Sequence, residues 1–362
     1  MATSDFGVYV HIPFCASKCE YCAFATWTDR HHLVDAYLDA LVSEISAAVA
    51  AGMRPAQTVF VGGGTPTLVP ADALAAVIAS IPVVDGAEVT VECNPDDVSI
   101  DVLRTYRSAG VNRVSLGVQS MSAHVLAALG RTHDQANVHR AVEAIRAAEL
   151  PTFNLDLIYG AVGETLDDWR ATVEAALAFD PPHISAYGLT VEAGTPLAVQ
   201  VDRHPDDDDQ ADKYEIVDEL LTAAGLANYE VSNWARPGHE SRHNHLYWDQ
   251  ADYRGFGCAA HSHAAGRRWW NVRTPDRYVD LVSRGESVEA SSETLDDATR
   301  RFEGLQLALR TRDGVERSAF DEETLELLDG LVVAHPGDAE RVVLTRAGRL
   351  MANEVSLRLA DV

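Results

Sequence analysis

Short apolar runs alternate along this chain with stretches in which apolar residues recur every three or four positions. Val8–Ile12 is the first run and predicts a strand. Leu33, Tyr37, Leu38, Leu41, Val42, Ile45 and Val49 follow at helical spacing and predict an amphipathic helix. The alternation continues with strand Thr58–Val61, helix Asp72–Ser80, strand Glu88–Glu92 and helix Ile100–Ser108, which Gly110 stops. Strand Arg113–Gly117, helices around Ala123–Leu129 and Gln135–Ala148, and strand Phe153–Ile158 come next. Leu166, Trp169, Val173, Ala176 and Leu177 mark a further helix, and His183–Leu189 is the sixth strand. Six strand-then-helix units in about 190 residues predict an α/β fold with a parallel sheet and helices outside it. In a curled, barrel-like sheet the chemistry sits at the C-terminal ends of the strands. An open doubly wound sheet is the other arrangement this pattern allows.

Beyond the sixth strand the pattern changes. The acidic run Asp206–Asp209 precedes an amphipathic helix, Gln210–Ala224, and suits the positive end of its dipole. Residues 233–290 hold many aromatics and histidines with little regular period, and are expected to cover the open side of the sheet. From about Asp296 helical spacing returns, with V-V-L-T at Val342–Thr345 before a last helix. The expected division is 1–232, then a covering segment 233–295, then a small, mainly helical C-terminal domain 296–362. A winged-helix-like unit is one arrangement for that last part, although its acidic helices argue against DNA binding.

A chain of 362 residues, 47% apolar, is long enough to bury a large core. Lys and Arg number 29 against 55 Asp and Glu, a net charge of −26. Such a surface repels nucleic acid phosphates and anionic lipid heads, so neither is an expected partner. No apolar run reaches the roughly 18 residues of a membrane span, and the N-terminus lacks a secretory pattern. The odd count of five cysteines suits a reducing cytoplasm, so a cytoplasmic location is expected.

Three of those cysteines lie together. Residues His11–Phe24 read H-I-P-F-C-A-S-K-C-E-Y-C-A-F, placing Cys15, Cys19 and Cys22 in a C-x3-C-x2-C array at the end of the first strand. Three thiolates on one loop can hold three irons of a [4Fe-4S] cube and leave the fourth iron open to a small molecule. A zinc knuckle or a disulfide with a spare thiol is the plainer reading, but zinc usually takes two C-x2-C pairs and only one is present. Cys93 and Cys258 are isolated. A G-G-G-T-P-T loop, Gly62–Thr67, follows the second strand, where missing side chains let backbone touch a ligand. Glu92 ends the third strand, Gln119 follows the fourth, Arg131 sits in L-G-R-T-H, and Asp156 lies within the fifth. A buried Asp needs a partner, and Arg131 is a candidate for it.

The cysteine array is the signature of radical S-adenosylmethionine (SAM) proteins, and the sequence resembles that superfamily. The match to its oxygen-independent coproporphyrinogen III oxidase-like family runs through Y-V-H-I-P-F-C, G-G-G-T-P-T, V-E-C-N-P, S-L-G-V-Q-S, N-L-D-L-I-Y-G and H-I-S-A-Y-G-L-T. One departure is Ala161–Val162–Gly163, where the family usually has L-P-G. The resemblance implies a partial (β/α)6 barrel, a [4Fe-4S] cluster on Cys15, Cys19 and Cys22, and an electron donor to it. It implies SAM held by Tyr9, Gly63, Gly64, Thr65, Glu92, Gln119, Arg131 and Asp156. The family has two branches. One decarboxylates two propionates of coproporphyrinogen III; the other is the haem chaperone branch, thought to bind haem and deliver it to apo-haemoproteins.

Three features resemble the chaperone branch. Only 14 residues precede Cys15, whereas the oxidase carries a longer leading segment. Phe24 stands where the oxidase has a fourth cysteine. Residues 243–248, H-N-H-L-Y-W, match the H-N-x-x-Y-W motif of that branch. An axial His and flat aromatic walls suit haem. His243 is the candidate iron ligand, His245 an alternative, and Tyr247 and Trp248 the expected neighbours. The plainer reading makes His243 and Asn244 loop residues and the two aromatics core. Cys258 could also ligate iron, but reads better as a buried, inert thiol. His261 and His263 form only an H-x-H pair, weak as a metal signal.

Overall fold

The computed structural model describes residues 5–359. In β1 (Phe6–Ile12), Val8, Val10 and Ile12 are wholly buried and share one core with Tyr37, Leu38, Leu41 and Ile45 of α1 (Val34–Ala50). β2 (Ala56–Gly63), α2 (Ala71–Ala79), β3 (Val83–Cys93), α3 (Ile100–Ser108) and β4 (Arg113–Gln119) continue the alternation. α4 (Ala123–Ala128), α5 (Gln135–Ala147), β5 (Thr152–Tyr159), α6 (Leu166–Leu177) and β6 (His183–Gly188) complete it. Side chains fix where helices begin: Ser99 caps α3, Asp134 caps α5 and Thr165 caps α6, each accepting from a backbone N–H three residues on. β1 to β6 pair parallel in chain order, as expected of a partial (β/α)6 barrel.

The barrel does not close; both edges are extended instead. After α7 (Asp207–Ala223), β7 (Ala227–Glu230) and β8 (Asn233–Ala235) add antiparallel strands beyond β6. α8 (Arg242–Trp248) crosses to the other edge, where β9 (Asp252–Phe256) pairs parallel with β1. β10 (His261–Ala264) and β11 (Arg267–Asn271) follow; after α9 (Pro275–Ser283), β12 (Glu289–Thr294) completes a twelve-stranded sheet. The segment 233–295, in which little regular period was legible, thus holds short strands β8 to β12 and helices α8 and α9. These strands run three to six residues, too short for alternation to show.

α8 closes the N-terminal end of the barrel. The Glu88 carboxylate of β3 accepts from the backbone N–H of Arg242 and His243 at 3.1 and 3.0 Å. Just upstream, Arg113 at the start of β4 donates to the His239 carbonyl, and Thr152 at the start of β5 bonds the His239 ring. A Cβ on Gly7 would lie 2.4 Å from Leu246 and 3.3 Å from His243, so the glycine admits the helix.

The last segment has its own core of Leu309, Val315, Phe320, Leu328, Val342 and Val355. It comprises α10 (Asp297–Ala308), β13 (Val315–Glu316), α11 (Glu322–Leu327), β14 (Val332–His335) and β15 (Asp338–Leu344), then two short helices. Arg346 and Arg349 bind it to the buried Asp218 of α7 at 2.5 and 2.9 Å.

Candidate functional site

Every residue singled out for SAM except Arg131 lies on, or directly after, the C-terminal half of a barrel strand. Strand alternation turns Tyr9, Glu92 and Asp156 to the concave side, where each is half-buried. The cysteine loop folds over the same end. Cys15 N–H donates to the Trp27 carbonyl at 3.1 Å, Trp27 N–H to Pro13 at 2.8 Å, and Cys22 N–H to Cys19 at 3.1 Å. All three thiols are free and half-buried. Burial raises the pKa of Cys15 and Cys22, so thiolates there call for positive charge or metal.

The G-G-G-T loop is shaped to receive the cysteine loop. Gly64 N–H donates to Ile12 at 2.7 Å and Thr65 N–H to Phe14 at 2.8 Å. A Cβ on Gly64 would lie 2.6 Å from the Phe14 carbonyl, 2.8 Å from that of Ile12 and 3.0 Å from Cys15 Sγ. Gly63 has φ +112, and its Cβ would fall 2.3 Å from the His11 ring. Thr65 Oγ1 lies 3.7 Å from Cys15 sulfur and Arg131 Nη1 3.8 Å from Cys19 sulfur.

Among the described residues no three His, Cys, Asp or Glu side chains converge on one point as ligands of a single ion do. A cube bonds each thiolate to a different iron, and three free thiols on one loop are a donor set that fits it.

Glu92 accepts from Gly63 N–H at 3.0 Å. Burial first, and then the Asp156 charge, push its pKa up to about 7. Tyr9 OH lies 3.0 Å from His11 Nδ1, and His11 Nε2 lies 2.9 Å from the Ala25 carbonyl, tying β1 to the far side of the cysteine loop. Burial lowers the His11 pKa to about 4, which keeps that ring neutral. Gln119 takes a left-handed φ of 63°, which folds its amide back over Gly117.

Arg131 and Asp156 do not pair, contrary to expectation. Arg131 donates to Asn94 Oδ1 at 2.7 Å and leans on the Gly117 carbonyl. Asp156 accepts from Ser115 Oγ and Asn154 Nδ2, each at 2.7 Å. Short neutral donors on β4 and on β5 itself reach the carboxylate, whereas Arg131, after α4, lies above the strand ends beside Cys19. Asn94 and His11 were not singled out from sequence, although V-E-C-N-P and H-I-P-F-C contain them.

His243 lies apart from this cluster, at the closed end of the barrel. It is 1% exposed, with Nδ1 2.8 Å from Thr58 Oγ1 and Nε2 2.9 Å from Tyr247 OH. Phe60 stacks on it at 5.3 Å. Burial pushes its pKa down to about 3. Both nitrogens are engaged, so binding iron would break one of these bonds and open the helix. This placement disfavours His243 as an iron ligand and makes it the support for Tyr247. Cys258 is fully buried, and Tyr37 OH lies 3.5 Å from its sulfur. Phe24 is 65% exposed beside the cysteines.

The Radical SAM superfamily matches residues 9–176. Heme chaperone HemW of Mycobacterium tuberculosis is 41% identical, over 98% of this chain and 95% of its own. HemW of Bacillus subtilis is 35% identical over 96% and 97%, and HemW of Escherichia coli 36% over 84% of each. Among solved structures, the coproporphyrinogen III oxidase HemN of Escherichia coli superposes with a TM-score of 0.83, covering 98% of this chain and 89% of its own. At 23% identity that likeness shows the fold alone. A radical SAM family implies a [4Fe-4S] cluster and SAM. No helix among the described residues is long and apolar enough to cross a membrane. The chain belongs to the HemW family of radical SAM proteins.

Proposed function

We propose that this protein binds haem and passes it to apo-haemoproteins in the cytoplasm. The observation that carries the reading is identity of up to 41% along nearly the whole length with proteins named heme chaperone. Phe24, exposed where the oxidase has a thiol, supports it. Cys15, Cys19 and Cys22 hold the [4Fe-4S] cluster. Tyr9, Gly63, Gly64, Thr65, Glu92, Gln119, Arg131 and Asp156 hold SAM. When bound and reduced by an electron donor, the cluster supplies one-electron chemistry next to SAM. The chain's own part is positional. Arg131 and Thr65 direct donors at cysteine sulfur, the glycines bring backbone close, and Glu92 offers a carboxylate near its midpoint at neutral pH.

The test is anaerobic. Load the full chain with iron and sulfide, add SAM, and offer haemin and coproporphyrinogen III in parallel. Haemin uptake followed by transfer to an apo-haemoprotein is the expected outcome. Decarboxylated tetrapyrrole without haemin uptake refutes the reading. Cys19→Ala is expected to abolish the cluster's visible absorbance.

A further inference from the structure

The proposed haem cargo needs an iron ligand, and the buried His243 is poorly placed for it. Strand register points to a different histidine. In the β1–β9 pair, Tyr9 lies opposite Gly255 and Gly7 opposite Tyr253. In the β9–β10 pair, Tyr253 lies opposite His263. Directly paired residues share a face, and positions two apart along a strand share it again. His261 therefore stands level with Gly255 and Tyr9, on the concave side that carries the proposed SAM residues. A Cβ on Gly255 would fall 2.1 Å from the His261 carbonyl oxygen, so the glycine lets β10 approach.

His261 differs from the histidines around it. Its side chain is exposed and makes no hydrogen bond to any described residue. His263, two residues on, has Nδ1 2.9 Å from the Ala251 carbonyl and Nε2 accepting from Gly266 N–H at 3.1 Å. His32, His139 and His245 also lack hydrogen bonds. His32 lies in the turn before α1, His139 packs on Phe179 outside the sheet, and His245 stacks on Tyr229 near the closed end.

His261 is also oriented. Its cross-strand partner is Trp270, and the two rings stack at 5.7 Å with 24° between planes. An indole on the face of an imidazole fixes its plane and leaves its edge clear. The lone pair that binds iron lies in that plane, at the edge. Partial burial, and next the Arg268 guanidinium, lower the His261 pKa and favour the neutral ring that ligates metal.

We propose that His261, held by Trp270 on the concave face two strands from Tyr9, is an axial ligand of the haem iron. This rests on the reading that the chain binds haem. It places the cargo within reach of the same cavity as the cluster and SAM. Trp270 is a positioning residue: it sets the imidazole plane.

The test compares wild type, His261→Ala, Trp270→Ala and His243→Ala as full-length, cluster-loaded chains titrated anaerobically with haemin. His261 is exposed and unbonded, so His261→Ala is expected to keep wild-type iron content and melting temperature. Haemin binding should weaken about tenfold or more, with a shifted Soret band that free imidazole restores. Metal-free protoporphyrin, which has no iron to ligate, should bind wild type and His261→Ala alike. Trp270→Ala should broaden the Soret band while His261 still ligates. If wild type takes up no haemin, the haem reading falls and the ligand with it. If wild type binds haemin and His261→Ala matches it in affinity and spectrum, only the ligand assignment is overturned. Loss of the spectrum in His243→Ala alone also overturns it.

Discussion

Gly64→Ala is a direct probe of how the two loops at the mouth depend on each other. Gly64 does not occupy a left-handed conformation, so the cost of a methyl there is contact and not backbone strain. The methyl would sit 2.6 and 2.8 Å from the Phe14 and Ile12 carbonyls. Neither oxygen is free to withdraw, because Gly64 and Thr65 N–H groups donate to these same carbonyls at 2.7 and 2.8 Å. Relief means separating the loops and losing both bonds, about 1–3 kcal/mol together. Residual overpacking adds a further ~1–3 kcal/mol. The total is about 2–6 kcal/mol, borne mostly by the surface cysteine loop and not by the core beneath. Iron and sulfide loading should therefore fall more steeply than the midpoint of urea unfolding. Gly52→Ala is the contrasting control. Its φ of +94 carries the strain, and nothing lies within 4 Å. It should lower stability by about 1–2 kcal/mol, and with it the midpoint, with full iron retained. Full iron loading and an unchanged midpoint in Gly64→Ala would refute the reasoning.

Lys213 and Glu164 have fully buried side chains 3.3 Å apart, so Lys213→Met strands a buried carboxylate at a cost of about 3–5 kcal/mol. Burial already raises the Glu164 pKa; such a group stabilises the fold while protonated and loses that contribution as pH rises. The loss in Lys213→Met should therefore be larger at pH 8 than at pH 5.5 by urea unfolding, and equal losses would contradict it. Glu92, raised to about 7, should make the cluster-free protein lose stability as pH rises between its ordinary 4.5 and 7. Glu92→Gln should flatten that slope, and an unchanged slope would assign it elsewhere. Arg203 ties the cysteine loop to the β6–α7 connection, pairing with Glu20 and donating to the Ala128 carbonyl at 2.7 Å. Arg203→Ala should leave the melting temperature nearly unchanged but speed bleaching of the cluster in air, and wild-type bleaching would argue that the clasp does not matter.

What was legible in the sequence is what neighbouring residues encode. The six parallel strands show because each is a compact apolar run set off by a helix with a 3.6-residue period. The cysteine loop and G-G-G-T turn show because each is a continuous motif. Long-range partners were harder to read. Arg131 and Asp156 carry opposite charge and invite pairing, yet Asp156 is met within the sheet by Ser115 and Asn154 while Arg131 lies above the strand ends on Asn94. His243 reads as a candidate ligand because its motif has chemistry, but without a period the motif does not show where the side chain points. Only the seating of α8 under β1 to β3, which Gly7 permits, reveals that it is buried. β9 to β12 were missed because strands of four to six residues leave too few alternations, and their place beside β1 depends on a long return crossing.

The position of α8 has a consequence for traffic. With α8 seated under β1 to β3, passage along the barrel axis is barred at that end, and a ligand comes to the cysteine loop from the opposite end or through the gap between the unclosed edges.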